Sequence, residues 1–438
     1  MNAVGLFSTL VSAASFLGFL GLAYRLGWSL TTMAFGVGST LGFILCMFLS
    51  GGPLRRFSEL RGKFTLSSFF IERYNTSTGL ITTFFVLILF PAYIVPQLMG
   101  AGLATTYLLG VEFTYAVIIV GVIYAGYVLI GGMLSVTWTD FIQGILMFLC
   151  MVGLSLVAIA HFGGVGSLVG KAAAVNPFYL GIHPRVSGWT YFGMSVGVMT
   201  FVLSSPHLIM RLFITRDVNQ GRAALSITAV LSLVFHLLGY LGVAAAALVI
   251  APKLAKIDNT YIVVMDELFS PLFRGLAVAG ILAAIMSTTS GMLLAAGAEF
   301  SNNLYRRFIR PEATQAQALW VGKVVILVIA ALTTTLAVFQ TQSIGVIVGL
   351  LVEGTGSAFM VPLLAGLWWK RANAVGGLLG VTGGFLVFLL VHFLKVVPMF
   401  AEILVSLPAS LLAVVIGSLL TAAPPPETIQ FVEVLHRA

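Results

Sequence analysis

Charge is what this sequence has least of. Of its 438 residues only 8% are Asp, Glu, Lys or Arg, where soluble domains carry roughly 25%. A chain this long with so few charges cannot cover a water-facing surface, which excludes a soluble protein and requires one dissolved in lipid. Cysteine is scarce too. Cys46 and Cys150 both lie inside apolar runs, so they read as small core hydrophobes, with no disulfide framework or metal cluster implied. The intervals between apolar runs are short as well: the longest, 51–78 and 162–187, cannot hold a soluble domain. No loop shows nucleophile–base pairing or metal-ligand spacing, so neither an enzyme nor a bound cofactor is expected. The net charge of +8 does not point to nucleic acid, because the basic residues sit in loops between apolar segments. The first apolar run is too long, and lacks the basic leader, for a cleavable signal peptide.

What the chain has in abundance is apolar residues, 59% of the total. A spanning helix needs about 20 of them in sequence. Twelve segments qualify, near 3–24, 28–50, 79–107, 114–132, 138–161, 188–214, 224–251, 275–300, 317–339, 344–369, 375–395 and 400–422. The tail 423–438 is a Pro-led stub, and a single membrane domain is expected. Fourteen lysines and arginines fall on the side of the N-terminus, with clusters at 55–63, 211–222 and 306–310; seven fall opposite, and Lys323 near a helix start is assigned to neither. That bias predicts both termini on the cytoplasmic side.

Polar residues inside the spans mark where the helices are interrupted. In hydrocarbon every backbone group must be paired, so a broken helix survives only where it lines a protein cavity. The first segment carries Ser8, Thr9, Ser12 and Ser15; the sixth carries Ser204, Ser205, Pro206 and His207, where the proline removes one helical hydrogen bond. Breaks at corresponding places in two halves of a chain point to a transporter's binding site, although small residues also allow close helix packing. The eighth segment adds four consecutive hydroxyls, Ser287, Thr288, Thr289 and Ser290. These can bond back to their own helix, or serve with freed carbonyls as hard oxygen donors to a cation. Chemistry alone does not name the ion.

At these residues the sequence resembles the sodium:solute symporter family of proline, pantothenate, acetate and glucose permeases. The resemblance is carried by Val11-Ser12-Ala13-Ala14-Ser15-Phe16-Leu17-Gly18, Thr65-Leu66-Ser67-Ser68-Phe69-Phe70-Ile71-Glu72-Arg73-Tyr74 and Gly131-Gly132-Met133 through Thr137-Trp138-Thr139-Asp140-Phe141-Ile142-Gln143-Gly144. It continues in Pro206-His207-Leu208-Ile209-Met210-Arg211, Ala284-Ile285-Met286-Ser287-Thr288 and Leu367-Trp368-Trp369-Lys370-Arg371. It implies an all-α membrane protein of the LeuT-like fold. In that fold two inverted five-helix repeats (1–161 and 162–369) precede accessory helices (370–422) and a cytoplasmic tail (423–438). The family's usual leading helix would be lacking, since Met1 stands almost at the first core helix. It also implies sodium-driven import of a small organic solute by alternating access across a bacterial cytoplasmic membrane.

Carried over residue by residue, the sodium site falls on the carbonyls of Ser8, Val11 and Ala284 and the hydroxyls of Ser287 and Thr288. A second sodium would use Asp140 and Ser290, with Gly291 standing where such sites use a hydroxyl. The solute would meet Ser12, Ser15, Phe16, Gln97, Ser204, Ser205 and Glu353. Because the Ser-Ala-Ala-Ser-Phe-Leu-Gly stretch looks like the acetate-type branch, a monocarboxylate such as acetate or pyruvate is expected first. Proline, another neutral amino acid and pantothenate are the alternatives. Proton coupling through Glu353 and a membrane sensor module are rival readings. The partners implied are sodium, the solute and lipid; nothing indicates an oligomeric state.

The acidic residues within the spans need explanation, since a carboxylate at the bilayer centre costs roughly 2.5–3.5 kcal/mol. Asp140, near the inner membrane face, suits structural hydrogen bonding or ion coordination equally. Glu299 is expected to pair with Arg306. Glu353 is far from any helix-end arginine, which suits solute or proton coupling or a hydrogen-bonded structural role. His207 and His236 read as packed residues, and Gln97 either reaches the cavity or bonds between helices.

Overall fold

Backbone groups in lipid are satisfied within a segment only by a helix or a closed barrel, and among the described residues this chain uses helices and no strand. The computed structural model describes residues 1–436, and for 132–135 the helix backbone. Arg437 and the side chains of the Gly132-Met133 part of the third motif lie outside the described residues. Twelve spans result if one sharply bent pair counts as a single crossing. They are α1 (Asn2–Leu10 with Ala14–Leu26), α2 (Trp28–Leu49), α3 (Thr76–Leu109), α4 (Phe113–Gly131), α5 (Val136–His161) and α6 (Gly188–Phe213). The remaining six are α7 (Val218–Ile250), α8 (Pro271–Ile309), α9 (Gln315–Phe339), α10 (Ile344–Trp368), α11 (Ala374–Leu394) and α12 (Ile403–Leu420). Number and order agree with the hydropathy reading. α8 outruns its apolar stretch because residues Phe300–Ile309 extend it as a π-helical segment.

Polar residues at the helix starts explain several boundaries. Asn75 caps α3 by accepting from Thr78 N–H at 2.8 Å, Thr314 and Gln317 form a capping box on α9, and Asn373 caps α11. Within the bundle α6 packs against α10 and α2, and α8 against α3. α11 and α12 lie together against α10. An even number of crossings puts both chain ends on one face, called here the near face; the other is the far face.

The two ends of α10 are held differently. At its near-face end, the buried Arg73 guanidinium donates to the carbonyls of Gly366 (2.7 Å), Ala372 (2.9 Å) and Trp369 (2.9 Å). The hydroxyl of neighbouring Tyr74 donates to Pro362 O at 2.7 Å. At the far face α1 touches the start of α10 backbone to backbone: a β-carbon on Gly18 would fall 2.4 Å from Gly345 N. Glycine is required there because no side chain fits between the two chains.

Candidate ion and solute site

α1 stops being helical at Val11, whose ψ of 127° is extended, and resumes at Ala14 after a 62° bend. The break frees backbone groups that side chains then satisfy. Gln97 Oε1 on α3 accepts from Ala13 N–H at 2.8 Å. Ser12 Oγ accepts from Ala14 N–H (3.2 Å) and Ser15 Oγ from Ser12 N–H (3.3 Å). On the other side of the break the carbonyls turn towards α8. Ser287 Oγ donates to Ser8 O at 2.8 Å and lies 3.0 Å from Ala284 O. Thr288 Oγ1 lies 3.0 Å from Val11 O and 3.3 Å from Thr9 O. Oxygens from two helices, all within fully buried residues, thus converge where only hydroxyls and carbonyls are present. This is a donor set for a hard monovalent cation, neutral in itself and free of competing amines.

α6 breaks in the same manner at Ser205, which is extended (ψ 126°), and restarts with Pro206 in its first turn, where the missing N–H costs nothing. Ser204 Oγ returns to Thr200 O at 2.7 Å, and Ser205 Oγ pairs with His207 Nδ1 at 2.8 Å. A pocket beside the α1 break is lined by Leu10, Ser12, Ser15, Phe19, Phe35, Tyr93, Val198, Phe201, His236 and Val352. It has room for about one water molecule, and all ten lining residues are buried.

The sequence pattern of the sodium:solute symporter family matches residues 1–384. The chain belongs to the sodium:solute symporter family. It is similar to the osmoregulated proline transporter OpuE of Bacillus subtilis (strain 168), 29% identical over 90% of this chain and 82% of that one. The high-affinity proline transporter PutP of the same organism is also 29% identical, over 85% of this chain and 80% of its own length. Among solved structures, a substrate-bound, outward-open Na+-coupled sialic acid symporter superposes with a TM-score of 0.82 at 18% identity, covering 96% of this chain and 90% of that one. Mhp1, a nucleobase-cation-symport-1 family transporter in a closed conformation with bromovinylhydantoin bound, gives 0.60 at 16% identity, over 99% and 95%. These two likenesses show the LeuT-like fold. The chain is a multi-pass membrane transporter, a sodium-coupled solute symporter and not an enzyme. Its named relatives carry proline, so the monocarboxylate expectation gives way to the proline alternative.

Several residues singled out in this symporter's sequence lie elsewhere than expected. Ser12 and Ser15 line the pocket, but Phe16 turns away and packs edge-to-face on Phe235 and Tyr261. Gln97 is absorbed in capping the break. Glu353 is one residue from the pocket-lining Val352, yet its carboxylate points the other way and accepts from Ile403 N–H at 3.1 Å. Direct contact between Glu353 and a solute in this pocket does not follow from that geometry. Asp140 is buried in an ion pair with Arg211, and Ser290 Oγ returns to Ser287 O at 3.1 Å. Glu299 does not bond Arg306. Its Oε2 accepts from Asn303 Nδ2 at 2.6 Å and Thr83 Oγ1 at 3.1 Å, while the π-helical turns leave Arg306 exposed. The pocket's aromatic wall of Phe19, Phe35, Tyr93 and Phe201 is invisible in the sequence. An aromatic in an apolar run gives no signal that separates pocket from core.

Proposed function

We propose that this symporter imports proline, or a neutral amino acid of similar size, together with sodium bound by Ser8, Val11, Ala284, Ser287 and Thr288. The observation that carries the solute class is the pocket's lining, which offers serine hydroxyls, a tyrosine and a histidine but no lysine, arginine, aspartate or glutamate. A zwitterion brings its own counter-charge to such a site, whereas an anionic monocarboxylate finds no basic side chain there. The proline transporters among its relatives support the same reading. The lysine and arginine bias makes the near face cytoplasmic, in a bacterial cytoplasmic membrane.

Coupling follows from where the ion would sit. The Ser287 and Thr288 hydroxyls lie within hydrogen-bonding distance of the carbonyls of α1, so a sodium ion held there would draw its ligands, hydroxyl lone pairs and carbonyls, from both helices. The ion then ties the broken helix to α8 and fixes the backbone around Ser12–Ser15 in the state that accepts solute. One sodium crossing ~100 mV yields about 2.3 kcal/mol, and a tenfold gradient adds about 1.4 kcal/mol. Together these support accumulation of several hundredfold. The Asp140–Arg211 pair we assign to holding α5 to α6, which leaves a single sodium as the coupling ion.

The test is uptake of labelled proline, acetate and pyruvate into proteoliposomes, with and without an inward sodium gradient. Sodium-dependent proline uptake that falls at least tenfold in Ser287→Ala/Thr288→Ala supports the reading. Uptake driven by a pH gradient alone, or of acetate in place of proline, overturns it.

A further inference from the structure

Away from the pocket, two buried carboxylates meet without a cation between them. Glu353 on α10 is 1% exposed and Glu402 at the start of α12 is 2% exposed, and the Glu353 carboxylate reaches the backbone of Ile403, the residue next to Glu402. Glu353 Oε2 accepts from Ile403 N–H at 3.1 Å, and Glu402 Oε1 lies 2.8 Å from His392 Nδ1 on α11. The remaining oxygens, Glu353 Oε1 and Glu402 Oε2, are both buried with no partner. Orphaned buried oxygens of this kind need an explanation, and one hydrogen placed between the two carboxyl groups satisfies both. A metal ion fits less well. Ile403 N–H is a donor aimed into the cluster, and the described residues contain no group of three or more acidic, histidine or cysteine side chains arranged to hold a metal; a hard cation asks for about six oxygens.

The surroundings are built around this pair. Gly197 on α6 leaves the space that Glu353 fills, since a β-carbon there would lie 2.8 Å from Glu353 Cγ. Phe400, two residues before Glu402, holds a left-handed φ of 67°, a strained position for an aromatic residue. Its ring abuts Gly349 and its carbonyl abuts Gly193, so the start of α12 is wedged between α6 and α10. Below the pair, Ser357 and Ser406 hydroxyls meet at 2.6 Å. Among the described residues no other charged group faces the pair. α3 has no acidic, basic or histidine residue, and the second half of α1 has only Arg25 at its far end. In α6 His207 and Arg211 lie beyond the break, and Lys395 after α11 is exposed. His392, with 31% of its side chain exposed, is the group that reaches solvent.

We propose that Glu353 and Glu402 bind one shared proton, exchanged with the far face through His392, and that this proton fastens α10 to α12. On release, the proton shifts to Glu402 Oε1 and passes to His392 Nδ1 while Nε2–H gives its proton to water, and two like charges are left in contact. Such a pair cannot persist buried, so the start of α12 must separate from α10. Acid at the far face therefore holds the two helices together, and alkali loosens them.

Infrared spectroscopy of the protein in lipid vesicles tests this without reference to any solute. Wild type minus Glu402→Gln, and wild type minus Glu353→Gln, should each show the same lost carbonyl band of a protonated carboxylic acid. Bands from other carboxyl groups cancel in the difference. Both variants keep the carboxyl's shape and supply an amide N–H in place of the shared proton. In wild type itself the band should vanish as one titration when the pH is raised, and His392→Phe should slow that loss. Absence of any such band in the wild-type difference, or a band that survives either substitution, overturns the proposal.

Discussion

The contact between Gly18 and Gly345 gives a quantitative handle on how the far face opens. A β-carbon at Gly18 would lie 2.4 Å from Gly345 N, 2.7 Å from its Cα and 3.0 Å from Ile344 C. All three atoms are backbone and cannot rotate aside. Ordinary contact begins near ~3.5 Å, so Gly18→Ala forces α1 and α10 apart by about 1 Å. Overpacking of this kind costs about 1–3 kcal/mol in the closed state, which corresponds to a shift of about 5- to 150-fold towards the opened far face. Alanine's gain in helix propensity, about 1 kcal/mol, acts in both conformations and drops out of the ratio. The assay is the labelling rate of a single cysteine in the pocket, Val198→Cys, with Cys46 and Cys150 replaced by alanine and an impermeant maleimide supplied from the far face. Labelling should rise at least fivefold while solute turnover falls. Gly345→Ala should act in the same direction, its β-carbon falling 2.7 Å from Gly18 O. Unchanged labelling with wild-type uptake in both variants would refute the claim that this contact closes the far face.

Gln97→Leu leaves Ala13 N–H without its acceptor and should lower stability by about 1–3 kcal/mol, read as a lowered thermal unfolding temperature in detergent. Asp140→Asn or Arg211→Gln strands a buried charge and should destabilise by about 3–5 kcal/mol each. Asp140→Leu/Arg211→Met should recover much of that loss, and strict additivity of the single effects would count against the pair. Arg73→Lys cannot serve three carbonyls at once, so limited proteolysis between residues 51 and 78 should quicken several-fold.

Much of this architecture was legible in the sequence because lipid offers backbone groups no partner, so a span must be a long apolar helix. The breaks were legible for a related reason. A cluster such as Ser8–Ser15, or Pro206 after two serines, is out of place in a span unless freed backbone groups have side chains to meet. The convergence of Ser287 and Thr288 on the carbonyls of α1 lay outside periodicity and came from resemblance. What stayed hidden is tertiary. Glu299 has an arginine seven residues on, but its partners are Thr83 on another helix and Asn303, one turn away in the π-helical segment. Glu402 sits in a short far-face connection, and nothing local joins it to Glu353 or His392. The relatives favour the proline alternative over the monocarboxylate first expected, and the small hydroxyl residues of the first helix suit an amino acid as readily as acetate; a pocket lined by no lysine, arginine, aspartate or glutamate exists only once ten residues from several helices are assembled.

Arg73 and Tyr74 give α10 the mechanics of a cantilever. Its near-face end is fixed by four hydrogen bonds to carbonyls between Pro362 and Ala372, while its far-face end has two longer ones, the Asp258 carboxylate accepting from Ile344 N–H at 3.3 Å and Ser343 Oγ at 3.4 Å. Pro362 interrupts the helix ladder at the edge of the fixed part and is the natural flexure. From there to Ile344 the arm is about 27 Å long, so a tilt of about 2° moves Gly345 by the ~1 Å needed to part it from Gly18. Glu353 lies midway along that arm and feels about half the displacement of the tip.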